Sequence, residues 1–224
     1  MDAEIPSDRP ERRRKLSRGE RRQQLIEATI RVIAERGYAR TTLGDVARSA
    51  GLSHGLVNFH FESKEKLLAE TLKYLAEDYR QNWMQAVAKA GDRVECQLDA
   101  FLRADFDPNA LTPGKLAAWT AFWGEAQNRP LYQEYCSTND QEYVRVLEGM
   151  CARMIADYGY AGEPVRVARV IRLTGEGLWL DLMNALAPYS VDEALRTIMT
   201  CAAAFFPRHF TPDGLINPSA LSER

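Results

Sequence analysis

The chain is poor in the residues that build metal and redox centres. Its 224 residues include four cysteines and three histidines. Cys96, Cys136, Cys151 and Cys201 lie far apart with no CxxC pair, and His54, His60 and His209 have no metal-ligand spacing. Neither a metal site nor a disulfide framework is expected, and free thiols in a reducing compartment are. No run of about 18 apolar residues occurs, which argues against a transmembrane helix. The polar N-terminus lacks the apolar segment of a secretory signal, so a cytoplasmic location is expected, with no membrane partner. There is no sustained period-two alternation, no internal repeat, no phosphate loop and no nucleophile–base spacing. Scattered acids such as Glu125, Glu142, Glu176 and Asp181 have acid–base chemistry, but no spacing singles out a pair. No catalytic residue and no cofactor are expected.

What is present reads as helix. Hydrophobic content of 46% and charged content of 27% are ordinary for a globular protein, and the length allows one large or two small domains with a real core. The net charge of -2 conceals an asymmetry: residues 1–68 carry +4 and residues 69–224 carry -6. Residues 9–22 alone hold eight basic and two acidic side chains. A basic end on an acidic body suits a protein that offers one end to a polyanion, the alternative being a solvated arm with no partner.

Capping signals and apolar spacing divide the chain. Residues 1–16 contain Pro6, Pro10 and an Arg-rich run, and are expected to be a disordered basic arm. Ser17 and Glu20 form a capping-box pair ahead of a helix that buries Leu25, Thr29, Val32 and Ile33 and ends at Gly37. Thr42 and Asp45 repeat the spacing, Ser53 caps a third helix, and Ser63 caps a fourth running from Lys64 to about Ala90. Further helices are expected over 92–104, 113–128, 131–158, 164–186 and 190–206, most breaks carrying proline. The fold expected is all-α, with about nine helices: a three-helix N-terminal domain over 17–62, a larger helical domain over 63–206, and an irregular tail over 207–224.

Residues 41–68 are the most informative stretch. Two short helices joined by a tight turn at Gly51 make a helix-turn-helix, whose second helix lies in the DNA major groove. The run Thr42, Val46, Ala47, Ala50, Gly51, Leu52, Ser53, Gly55, Val57, Phe61, Ser63, Lys64 and Leu67 resembles the DNA-binding domain of TetR-family repressors. Asn58 departs from that pattern where Tyr is usual, and Phe59-His60 replaces its common His-Tyr. The resemblance implies a homodimeric regulator of double-stranded operator DNA. Arg14, Lys15 and Arg18 then belong to an arm that meets phosphates or a neighbouring groove. Lys64 matches the family's phosphate-binding lysine, and His60 a position that often holds a phosphate-contacting Tyr. Thr42 and Ser53 offer hydroxyls and helix N-termini to phosphate as well as capping their helices. Val57 and Phe61, at i and i+4, face the core. His54, Gly55 and Asn58 lie on another face, where His54 and Asn58 are the candidate base readers and Gly55 permits close approach.

Residues 113–150 carry a second resemblance. Gly114 to Ala126, Pro130-Leu131, Asn139-Asp140 and the later Gly177 to Leu180 are similar to the choline-responsive, BetI-type repressors of glycine-betaine synthesis. This implies a cationic small-molecule effector. Trp119, Phe122 and Trp123, with Glu125 nearby, and Trp179 with Asp181 are the candidate ligand-binding residues. A quaternary ammonium is held by aromatic faces and negative charge, although aromatics at helical spacing also serve as plain core. An unrelated apolar effector on the same scaffold, or a helical enzyme or interaction module, is the alternative. Dimerisation is expected through the last two long helices, along Val167, Ile171, Thr174, Leu178 and Leu182 and along Val191, Leu195, Ile198, Ala202 and Phe205. The effector's influence is expected to pass through the fourth helix.

Overall fold

The structure is a computed structural model that describes residues 16–108, 110–126, 130–187 and 189–216, without the side chains of residues 125, 126, 131 and 132. Among the described residues the chain forms nine α-helices and one hairpin of two-residue strands. The first three helices are α1 (Arg18–Arg36), α2 (Leu43–Ala50) and α3 (His54–Phe61). Ser17 accepts from the Glu20 amide, and Glu20 accepts from the Ser17 amide, completing the capping box. Thr42 caps α2 and Ser53 caps α3 through their side-chain oxygens. Gly51, at φ 66°, makes the left-handed turn between the two helices at no steric cost.

The three helices share one core. Leu25, Ile33, Val46, Val57 and Phe61 are all nearly inaccessible to solvent, and each fully buried aliphatic side chain of this kind contributes about 1.5–3 kcal/mol. Polar ties hold the angles between helices. Gln24 donates to the Ala50 carbonyl, and Arg22 donates both to the His60 carbonyl and to Glu70 on the next helix.

That next helix, α4 (Lys64–Lys89), is 26 residues long and enters the larger body. It packs against α5 (Val94–Ala104) and α7 (Pro130–Tyr158), beside α6 (Pro113–Ala126), α8 (Pro164–Asn184) and α9 (Val191–Phe205). Cys136 and Cys151 are buried among them, and burial pushes each thiol up to about 12, so both are un-ionised and unreactive.

Past α9 the chain departs from the expected irregular tail. Strands β1 (Phe210–Thr211) and β2 (Gly214–Leu215) pair antiparallel. This hairpin lies on α5: the Leu215 amide donates to Asp99, and Arg103 donates to the Asp213 carbonyl. A side chain at Gly214 would place its Cβ 2.0 Å from the Arg103 guanidinium. Two-residue strands give no periodic signal, so sequence shows only their turn residues. No helix among the described residues is long and apolar enough to cross a membrane.

Candidate nucleic-acid interface and ligand cavity

Helix α3 turns one face inward and leaves the other open. Val57, His60 and Phe61 are buried, whereas His54, Gly55, Asn58 and Phe59 are exposed. The Asn58 amide nitrogen lies 3.2 Å from His54 Nδ1, so these two neighbours form one hydrogen-bonded unit across a helical turn. Nothing lies within 4 Å of the position a Gly55 Cβ would take, which leaves open space there.

His60 is the member of the expected contact set that the structure largely buries. It is 8% exposed, and its Nδ1 is buried without a hydrogen-bond partner among the described residues. Burial, reinforced by the nearby Arg18, Arg22 and Arg21, pushes its pKa below the usual histidine value. The reason is helical geometry: His60 is three residues after Val57 and therefore shares its inward face.

Arg18 is exposed at the start of α1, with its guanidinium 6.0 Å from the centre of the Phe59 ring. Lys64 donates to the Ala39 carbonyl at 2.9 Å and so ties the start of α4 to the α1–α2 turn. Two of its three ammonium hydrogens remain for other acceptors. Thr42 and Ser53 are exposed at the N-termini of α2 and α3. Arg14 and Lys15 lie outside the described residues.

The second site is a cavity of about 430 Å³ in the helical body, within the size range of small-molecule pockets. Its walls come from Ala76 and Tyr79 on α4, Asp105 just past α5, Trp119 and Trp123 on α6, Asn139, Asp140, Tyr143 and Val144 on α7, and Arg172, Gly175, Glu176, Trp179 and Leu180 on α8. Trp123 stacks on Trp179 with ring centres 6.0 Å apart and planes at 15°. Trp119 meets Trp123 at 6.2 Å, and Tyr79 is edge-on to both Trp119 and Trp179. Asp105 is 6% exposed and is held from three directions. The Tyr79 hydroxyl donates to Oδ1 and the Tyr143 hydroxyl to Oδ2, both at 2.7 Å, while the Trp179 indole donates to the Asp105 main-chain carbonyl at 3.1 Å.

Burial raises the Asp105 carboxyl to about 6 against the opposing pull of the two phenols, and burial likewise pushes both tyrosines well above their usual value. The charged side chains lining the cavity are three carboxylates, Asp105, Asp140 and Glu176, and one guanidinium, Arg172, which pairs with Glu176. Aromatic faces around a buried carboxylate have the chemistry that suits a cation unable to donate strong hydrogen bonds.

The sequence-expected ligand residues divide here. Trp119, Trp123 and Trp179 line the cavity. Phe122 does not: it lies a helical step away from the two α6 tryptophans, where its ring meets Tyr38 of the α1–α2 turn edge-to-face. Asp181, two residues beyond Trp179, is on the opposite side of α8, where it is exposed and hydrogen-bonds with Tyr189. The Glu125 side chain is outside the described residues. Sequence reasoning missed Asp105, because it follows the end of a helix and so belongs to no periodic stripe. Tyr79 falls on the apolar stripe of α4, where helical spacing accounts for its packing and is silent about its hydroxyl.

Comparison with known proteins gives a family match for each end of the chain. Residues 25–71 match bacterial regulatory proteins of the tetR family, and residues 94–207 match the C-terminal domain of BetI-type transcriptional repressors. The chain belongs to the BetI-type branch of the TetR family. The HTH-type transcriptional regulator BetI of Burkholderia thailandensis is 31% identical over 179 residues, covering 79% of this chain and 88% of that protein. BetI of Paraburkholderia xenovorans is 30% identical over 177 residues, covering 79% and 89%. Among solved structures, a transcriptional regulator from Pseudomonas aeruginosa PAO1 superposes with a TM-score of 0.73 at 24% identity, over 86% of this chain and 93% of that one. A regulator from Saccharomonospora viridis, solved in complex with choline, superposes at 0.69 with 20% identity, over 80% and 94%. This TetR-family chain is therefore a transcription regulator rather than an enzyme.

Proposed function

We propose that this chain is a homodimeric repressor that binds double-stranded operator DNA through α3 and leaves it when a small quaternary ammonium compound, choline or a relative, enters the cavity. The observation that carries the effector reading is Asp105, a buried carboxylate among Trp119, Trp123, Trp179, Tyr79 and Tyr143. A desolvated cation over an aromatic face gains about 2 kcal/mol or more, and a trimethylammonium group presents several such faces at once. The choline complex of the Saccharomonospora viridis regulator supports the same chemistry on a related fold. An apolar effector is the weaker reading, because it would bring no charge to the buried Asp105 carboxylate.

For DNA, His54 and Asn58 read base edges, while Arg18, Thr42, Ser53 and Lys64 meet phosphates, joined by Arg14 and Lys15 of the arm. Dimerisation uses the outward faces of α8 and α9. The expected stripes are largely spent inside the chain, since Val167, Ile171, Leu178, Ile198 and Ala202 are buried within it. Of the large apolar residues that α8 leaves exposed, Val165, Val170, Leu173 and Leu180, the most open are Val170 and Leu173, at 43% and 51% exposure.

Calorimetry with choline and with 3,3-dimethylbutan-1-ol, which has the same shape without the charge, tests the effector. Choline should bind and the neutral analogue should bind far more weakly. Equal affinity would remove the cationic reading, and so would no heat with choline or betaine aldehyde up to about millimolar, the affinity scale of a weak complex. Gel shifts with promoter fragments, with and without choline, test operator binding and release.

A further inference from the structure

Phe59 takes no part in the hydrophobic core. It is 67% exposed, and of the large apolar side chains in residues 16–62 only it and Leu16 are exposed. It is not loose, however. The His60 ring meets it edge-on with centres 5.3 Å apart, and the Arg18 guanidinium sits 6.0 Å from its own centre, so one neighbour within α3 and one from α1 bracket the ring. Its next-door residue is Asn58, whose amide is bonded to His54 on the same open side of the helix. An apolar ring held outward beside polar base-edge readers has one apolar counterpart in the major groove, the C5-methyl group of thymine. The positive charge of Arg18 beside the ring suits an approach to a polyanion and argues against an apolar protein partner at this spot.

We propose that Phe59 reads a thymine methyl in each operator half-site, making it a specificity-determining residue alongside Asn58. This rests on the reading of α3 as the DNA-recognition helix. Contact with one methyl group is worth about 0.8 kcal/mol, or about fourfold in affinity per half-site, which becomes roughly fifteenfold for a symmetric pair.

The test uses the full-length protein and the tightest duplex it selects from a randomised DNA library. Each thymine of that duplex is replaced in turn by deoxyuridine, which removes the methyl and leaves every hydrogen-bonding group in place. Wild-type protein should lose about fourfold to fifteenfold at one symmetric pair of thymines and little elsewhere. Phe59→Ala should bind the thymine and deoxyuridine duplexes equally, whereas Phe59→Leu should keep part of the preference. Thermal melting checks that both variants stay folded, as an exposed position implies. If the wild-type protein is indifferent to every replacement, or if Phe59→Ala keeps the full methyl preference, the inference falls and operator binding through α3 stands. If no duplex is enriched at all, the DNA-binding reading falls, and this inference with it.

Discussion

Tyr38 and Phe122 meet with ring centres 5.4 Å apart and planes at 74°. Tyr38 belongs to the turn between α1 and α2, and Phe122 lies on α6 beside the cavity residue Trp123. The same turn accepts the Lys64 hydrogen bond at Ala39, and Ile30 of α1 lies against Gly114 at the start of α6. Helix α4 contributes Ala76 and Tyr79 to the cavity and begins at the DNA-binding end. Helix α6 therefore offers a second path from the cavity to the recognition helix, alongside the one through α4.

Tyr38→Ala should cut that second path. We expect operator affinity without effector to change by no more than a few-fold, while the ratio of affinities with and without choline shrinks. Couplings of this type are commonly about 5-fold to 150-fold, so the loss is measurable by fluorescence anisotropy at saturating effector. An unchanged ratio would assign the whole signal to α4.

Effector binding should weaken in acid. Burial holds the Asp105 carboxyl at about 6, above its ordinary 3.8, so it is ionised at neutral pH and protonated at pH 5. A cation prefers the ionised form, and one linked proton lowers affinity about tenfold for each pH unit below 6. Calorimetry with choline from pH 5 to 8 measures the slope. Stability runs in the opposite sense: a carboxyl whose folded pKa is raised binds more protons when folded, so Asp105 costs least in acid and its penalty grows as pH rises from about 4 to 6. Asp105→Asn should therefore melt higher than the wild type at neutral pH while losing choline binding at least tenfold.

Leu173→Glu should produce monomers. The side chain is 51% exposed on α8, so the substitution leaves the core of one chain intact and puts like charges across a two-fold axis. Sedimentation at micromolar concentration gives the answer, and a dimer of unchanged stability would place the interface elsewhere.

On DNA, Lys64→Ala should weaken binding to all sequences alike and reduce the salt slope by about one, as expected for a phosphate contact. Asn58→Ala should relax discrimination at defined operator positions by about 1–3 kcal/mol. Because Asn58 and His54 are hydrogen-bonded to each other, the double substitution should cost less than the two single ones combined. Additive effects would mean that the two residues act independently.

The DNA-binding end was largely legible in the sequence, because its signals are local. Caps at Ser17, Thr42, Ser53 and Ser63 and the left-handed Gly51 appear where the spacing places them. The burial of His60 was not legible, because matching a motif position says nothing about which side of a short helix is buried. The cavity was half legible. Trp119, Trp123 and Trp179 announce themselves by type and spacing, whereas Asp105 reaches Tyr79 and Tyr143 across 26 and 38 residues of chain. Contacts that distant depend on how whole helices pack, and that leaves no trace in local periodicity. The exposed Val170 and Leu173 were hidden for a related reason: α8 is apolar on more than one side, and only packing decides which side stays outside.

Three of the chain's four tryptophans border a single space, and the fourth, Trp83, is sealed in the core. The indole emission of this protein is therefore concentrated at one place, and whatever enters there displaces water from, or sits against, the fluorophores themselves. The unlabelled molecule should report its own occupancy by a change in intrinsic fluorescence, with Trp83 supplying a constant background. Screening a panel of candidate effectors needs no dye, no operator fragment and no modification of the chain.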